Sequence, residues 1–211
     1  MPSARISPQL HSERDLWQSG LRLVAGVDEV GMGPLAGPVV AAAVIFPPQH
    51  ECDTVIPSSL PQGVRDSKML TLKARERLEP EIRHAAIGVG VGMVEVEEID
   101  RINIYQAGLK AMRLALENLP VFPEHVLVDG RSLKNLPCPC SAFIKGDRDV
   151  YSIAAASIIA KVYRDRLMID LDHRYPEYGF ARHMGYGTLA HRDALRRFGP
   201  TPVHRRSFRL L

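Results

Sequence analysis

Apolar residues recur along the chain in two rhythms, and the rhythms lay out an order of elements. Leu21 to Val30 reads as a strand that runs into glycines. Val39 to Phe46, VVAAAVIF, is apolar on both parities, the pattern of a strand buried on both faces. Pro47-Pro48 ends it, and residues 49–70 read as a loop with Pro57, Pro61 and Gly63. Thr71 to His84 has helical spacing, with Thr71 as N-cap. Ile87 to Val96 alternates as a third strand, and Glu97 to Leu119 predicts one helix. Glu124 to Asp129 carries a short strand closed by Gly130, and Ser141 to Ile144 another. Asp149 to about Arg174 predicts a long helix rich in Ala and Ile. Tyr175 to Gly187 is an aromatic, glycine-rich loop, and Leu189 to Phe198 a last helix. Strands dominate early and helices later, which predicts an α/β fold: a mixed sheet with helices on its faces.

The chain has 211 residues, enough for one globular domain that needs no disulfide framework. It divides into a polar lead-in (1–20), a sheet-bearing body (21–175) and a C-terminal helical, basic segment (176–211). The N-terminus has no apolar stretch of the secretory kind. The longest apolar run, Val39 to Phe46, falls far short of the ~20 residues that span a bilayer, so no membrane role is expected. Cys52, Cys138 and Cys140 are odd in number, and Cys138-Pro-Cys140 matches neither a redox motif nor a zinc spacing. A reducing, cytoplasmic compartment and inert cysteines follow.

Charge adds an asymmetry. Residues 1–130 hold 12 Lys/Arg and 17 Asp/Glu, whereas residues 131–211 hold 15 and 7. The basic end suits a polyanion, although a solvated basic face explains the charge as well.

Three places put an acid where the pattern expects an apolar or small residue. Asp28-Glu29 ends an apolar strand before Gly31 and Gly33. Neighbouring strand residues point to opposite faces, so a bend or bulge is expected if both acids serve one site. Asp129 ends Val126-Leu127-Val128, a place for a ligand or base but also ordinary Asp-Gly turn chemistry. Asp165 lies in line with Ile158, Val162 and Ile169 on one helix face. A buried carboxylate there wants a cation, either Lys161 one turn earlier or a metal ion. Gathered together, such acids coordinate Mg²⁺ or Mn²⁺ through oxygen, the arrangement of two-metal phosphodiester cleavage. Asp147, in KGD, invites a catalytic role but reads rather as a helix N-cap ahead of the long helix, and His183, His191 and His204 as structural or exposed rather than proton shuttles.

The motifs GVDEVGMGPLAGPVVAAAV, Asp66-Ser67-Lys68, VLVDG, KGD followed by SIAAASIIAKVYRDRLM, YGFARHMGYGT and HRRSF stand in one order. In that order they resemble ribonuclease HII from about Leu23 to Phe208. The resemblance implies an RNase H-like fold and Mn²⁺ or Mg²⁺ as cofactor. The implied partners are RNA–DNA hybrids and duplex DNA with single embedded ribonucleotides, cut 5′ of the ribonucleotide to leave 3′-hydroxyl and 5′-phosphate ends. It implies Asp28, Glu29, Asp129 and Asp165 as the catalytic, metal-binding acids. Tyr186 falls on a tyrosine that stacks beside the following deoxyribose, and Lys68 on a phosphate-contacting lysine. Lys145, Arg182, Arg205 and Arg206 are further phosphate candidates. The family's Gly-Arg-Gly stands here as Gly31-Met32-Gly33. Backbone approach to a 2′-hydroxyl survives, but the guanidinium is lost.

Three other readings compete. A non-catalytic hybrid-binding protein would need no acid cluster. An aspartyl-phosphate phosphatase would need Asp-x-Asp. The sister ribonuclease HIII carries an added N-terminal domain, for which about 20 residues leave no room. A monomer is expected. A sliding-clamp partner is not indicated by the C-terminal RSFRLL.

Overall fold

A computed structural model describes residues 7–49 and 56–211. Helix α1 (His11–Gln18) leads into β1 (Val24–Val30), β2 (Val39–Ile45), α2 (Leu72–Ala85) and β3 (Gly88–Val94). Then come α3 (Val96–Ile102), α4 (Ile104–Glu117), β4 (His125–Asp129), β5 (Cys140–Phe143) and the single turn α5 (Gly146–Asp149). Helix α6 (Tyr151–Arg174), the short α7 (Phe180–His183) and α8 (Leu189–Phe198) complete the chain. The strands form one five-stranded sheet in the order β3-β2-β1-β4-β5. The pairs β1–β2 and β2–β3 are antiparallel, while β1–β4 and β4–β5 are parallel. This is the mixed, helix-flanked sheet that the sequence predicts.

Both faces of β2 are buried because each has its own helix. Val40, Ala42 and Val44 pack with Ile153, Ala154 and Ile158 of α6. Val39, Ala41, Ala43 and Ile45 pack with Ala107, Ala111 and Ala115 of α4. Small residues bring α6 close to the sheet. A methyl group on Gly26 of β1 would overlap the Ser152 and Ile153 backbone. A third apolar group joins Leu35, Ala36 and Met168 to Tyr178, Phe180, Ala194 and Leu195, fastening the C-terminal helices to the body.

Two element boundaries differ from expectation. The helix expected over 97–119 is broken at Asn103, which has φ 69° and whose side chain accepts from the Gln106 N–H. Asparagine tolerates the left-handed region and caps a helix, while the apolar spacing runs on through the break. The loop over 175–187 holds a 3₁₀ turn at Pro176–Tyr178 and α7. Cys138 and Cys140 are free thiols, and Cys52 lies outside the described residues. Among the described residues no helix is long and apolar enough to cross a membrane.

Candidate active site

Strand register brings the first acids together. Val27 of β1 is level with Val128 of β4, so Asp28 and Asp129 come next in line where β4 ends. No bulge is needed. Strand β1 pairs with β2 without interruption through Asp28, Glu29 and Val30, so the expected bend is absent. Asp28 faces α6, where the Ser157 side chain hydrogen-bonds to it. Glu29 faces the α4 side, in a cavity shared with Met32, Tyr105 and Asp129. Both acids feel the charge of Asp129 at the end of β4.

Asp147 completes the group. The Gly146 N–H donates to Asp129 Oδ1 at 2.6 Å, which sets α5 beside the strand end. The N-cap expected of Asp147 is corrected: it lies inside α5, whose capping residue is Lys145. The electrostatics tie these acids into one unit. Burial holds the Asp28 carboxyl well above its usual range, and Glu29, Asp129 and Asp147 raise it further. Burial and then Asp129 push Glu29 up to about 7. Asp147 is raised by burial and by Asp66 and Asp129. The Lys68 amine lies 4.0 Å from Asp147 with its side chain 75% exposed. Burial draws it down, but Asp28, Asp147, Asp66 and Asp129 leave it raised on balance.

Asp165 is not brought into this group. It sits eight residues beyond Ser157 on α6, about 12 Å along the helix axis. Its carboxylate is held by Lys161 at 2.6 Å and Arg75 at 3.5 Å. Arg75 is itself anchored on the Ser67 and Leu70 carbonyls. The cation wanted by a carboxylate on that helix face is therefore a pair of side chains. The missed acid, Asp147, carried only a local signal: a glycine and an acid just ahead of a long helix.

Around the acids lie the other expected residues. Gly31, with φ 96°, turns the chain after β1, and any side chain there would overlap Arg164 and the Pro38 carbonyl. Tyr186 stands beside this loop: a methyl group on Gly33 would lie 3.6 Å from its ring. Met32 packs over Gly108 of α4. Lys145, Arg182 and Arg206 are exposed. Arg205 is not a phosphate contact. It is wholly buried and donates to the carbonyls of Gly31, Met32, Gly37 and Pro38. Arg164, also buried, donates to Pro38, Ala36 and Met184. Burial lowers both guanidinium groups, Arg164 to about 10 and Arg205 to about 9, which leaves them charged at pH 7. These two residues hold the carbonyls of the glycine loop inward. Sequence patterning had no means of finding them, since arginine reads as surface.

The comparisons with known proteins agree. The family model "Ribonuclease HII" matches residues 25–211. Ribonuclease HII of Syntrophotalea carbinolica is 50% identical over 208 residues, covering 99% of this chain and 95% of the relative. That of Geobacillus kaustophilus is 54% identical over 196 residues, covering 93% of this chain and 72% of the relative. The crystal structure of ribonuclease H2 from Pyrococcus horikoshii superposes with a TM-score of 0.70 at 27% identity, over 89% of this chain and 94% of that one. The PCNA:RNase HII complex from Archaeoglobus fulgidus gives 0.71 at 27% identity, over 89% and 95%. With a family match over nearly its whole length and relatives of this coverage, the chain belongs to the ribonuclease HII family and is an endoribonuclease of the RNase H type.

Proposed function

We propose that the chain cuts RNA in RNA–DNA hybrids and on the 5′ side of single ribonucleotides embedded in duplex DNA, leaving 3′-hydroxyl and 5′-phosphate ends. The observation that carries this reading is the Tyr186 ring against Gly33, one turn of chain away from Asp28 and Glu29. An exposed aromatic ring against the open backbone of Gly33, in the loop that follows Asp28 and Glu29, supports the reading of one ribonucleotide step close to where it is cut. The 2′-hydroxyl is the group that tells RNA from DNA there.

Asp28, Glu29, Asp129 and Asp147 are the residues that would hold divalent ions, Mg²⁺ or Mn²⁺. Their fit is chemical: hard carboxylate oxygens, buried at Asp28 and Asp147 and half-buried at Glu29 and Asp129, with Asp28, Glu29 and Asp147 each made more basic by an acidic neighbour. Among the described residues no three ligand side chains already converge as a metal shell, so binding would have to draw the last oxygens together. When bound, such ions supply the charge that promotes attack of water on the phosphodiester and stabilises the departing 3′-oxygen. The protein's own part is to hold the acids level through the β1–β4 register and to steady Asp129 through Gly146. It also keeps the glycine loop rigid through Arg164 and Arg205. Lys68, Lys145, Arg182 and Arg206, all exposed, are the proposed phosphate contacts. A single chain is the proposed functional unit. The Archaeoglobus relative is described as a complex with PCNA; no segment of this chain is assigned to such a contact.

The test is incision of a duplex DNA carrying one ribonucleotide, with Mg²⁺, with Mn²⁺, or with chelator. Cutting 5′ of the ribonucleotide that chelator abolishes is the expected result. Cleavage of a long hybrid without that incision would remove the single-ribonucleotide reading and place the blame on Met32.

A further inference from the structure

Away from the acids, His191 on α8 and His204 in the C-terminal turn are 0% and 1% exposed, with their Nε2 atoms 3.0 Å apart. Their proton positions can be worked out from both ends. His191 Nδ1 lies 2.9 Å from the Tyr186 carbonyl oxygen, which can only accept, so Nδ1 carries the proton. In a neutral ring His191 Nε2 then accepts, and His204 Nε2 must donate. At the other end the Thr201 N–H, which can only donate, meets His204 Nδ1 at 2.9 Å. That nitrogen is therefore unprotonated, and its proton sits on Nε2, the same answer reached independently. The chain of donors runs one way, from Thr201 N–H through both rings to the Tyr186 carbonyl, and uses all four ring nitrogens. Burial keeps both rings neutral, pushing His204 down to about 4.

The pair joins the two loops of the substrate site. The Tyr186 turn is tied at one end. At the other, His204 bridges to Ala36 and the Arg205 N–H donates to the Leu35 carbonyl, both in the loop that begins at Gly31. The ring of His183 stacks on His191 at 4.6 Å, and Phe180 closes on it edge-on.

We propose that His191 and His204 are positioning residues for Tyr186, a tautomer-locked pair that sets where its ring stands against Gly33 and thereby favours a ribonucleotide–deoxyribonucleotide step. The inference rests on the reading of Tyr186 as the sugar-stacking residue.

The experiment uses the full chain with Mg²⁺ and a duplex carrying one ribonucleotide. His204→Leu breaks the donor chain and should lower kcat/KM about tenfold, whereas His204→Gln, whose amide can replace the Nε2–H donor, should restore it to within about threefold. In a Tyr186→Ala background, His204→Leu should cost less than about twofold more. An equal loss in both backgrounds overturns the proposal, because His204 would then act through stability alone. Full activity of Tyr186→Ala would instead overturn the reading of Tyr186. Nitrogen-15 spectra of the wild type separate the two failures and stand even if a variant does not fold. Protons on His191 Nδ1 and His204 Nε2 at pH 7 are expected, and the opposite tautomers or a charged ring overturn the pair whatever the activity.

Discussion

Asp147, just ahead of the long helix α6, and Asp165, within it, meet opposite fates. Asp147 is surrounded by like charge from Asp66 and Asp129, whereas Asp165 is answered by Lys161 and Arg75. Their amide variants should separate cleanly. Asp147→Asn is expected to lower the cleavage rate at least about a hundredfold, with the denaturation midpoint kept or raised, since a repelling charge is gone. Asp165→Asn should keep most of the rate but lose roughly 1–3 kcal/mol of stability, because two part-buried cations lose their partner. Single-turnover cleavage and urea unfolding of the two variants side by side decide it. The pattern showed that Asp165 needed a cation but not which one, because Arg75 arrives from an element 90 residues away. A second residue-scale prediction concerns His204. Its ring titrates near 6.5 unfolded and near 4 folded, so the unfolded chain takes up the extra proton between those values. The contribution is complete above pH 6.5 and lost as pH falls towards 4, on the order of 3 kcal/mol. Urea unfolding across that window should show a shallower acid loss in His204→Gln than in the wild type.

Among the elements, the contact between β1 and α6 sets the site. Asp28 meets Ser157 because α6 lies close against Gly26. Gly26→Ala should therefore force the helix outward, costing about 1–3 kcal/mol by overpacking and lowering activity with it. Thermal unfolding together with cleavage rate tests this, and an unchanged melting temperature would contradict the packing. The strands and long helices were legible from spacing, since period and burial agree over five or more residues. The break at Asn103 was not, because the apolar stripe of α3 continues in phase into α4.

For the whole molecule, the uncompensated acids make ion binding, proton release and stability one problem. Glu29 is raised to about 7 from 4.5, so the folded chain holds a proton there that the unfolded chain has released. The Glu29 contribution to the stability of the ion-free protein should fall as pH rises from about 4.5 to 7, opposite in sign to that of His204, and Mg²⁺ should restore it. Apparent Mg²⁺ affinity should climb with pH to about 7 and then flatten, with protons released on binding below that. Calorimetry in two buffers of different ionisation heat measures this directly. An affinity independent of pH from 5 to 8 would place the ions elsewhere.

The sequence by itself determined the sheet, its two covering helices, the acids at the ends of β1 and β4, and the glycine loop. Each rests on a local rule: period, burial on both parities, or an acid breaking an apolar run. The tertiary structure alone decided which acid joins them, why no bulge is needed, and what fixes the loop. Those answers depend on strand register and on partners far apart in the chain. Register sets Asp28 level with Asp129, Gly146 brings Asp147 to that edge, and Arg164, Arg205 and the histidine pair reach the loop from the C-terminal half.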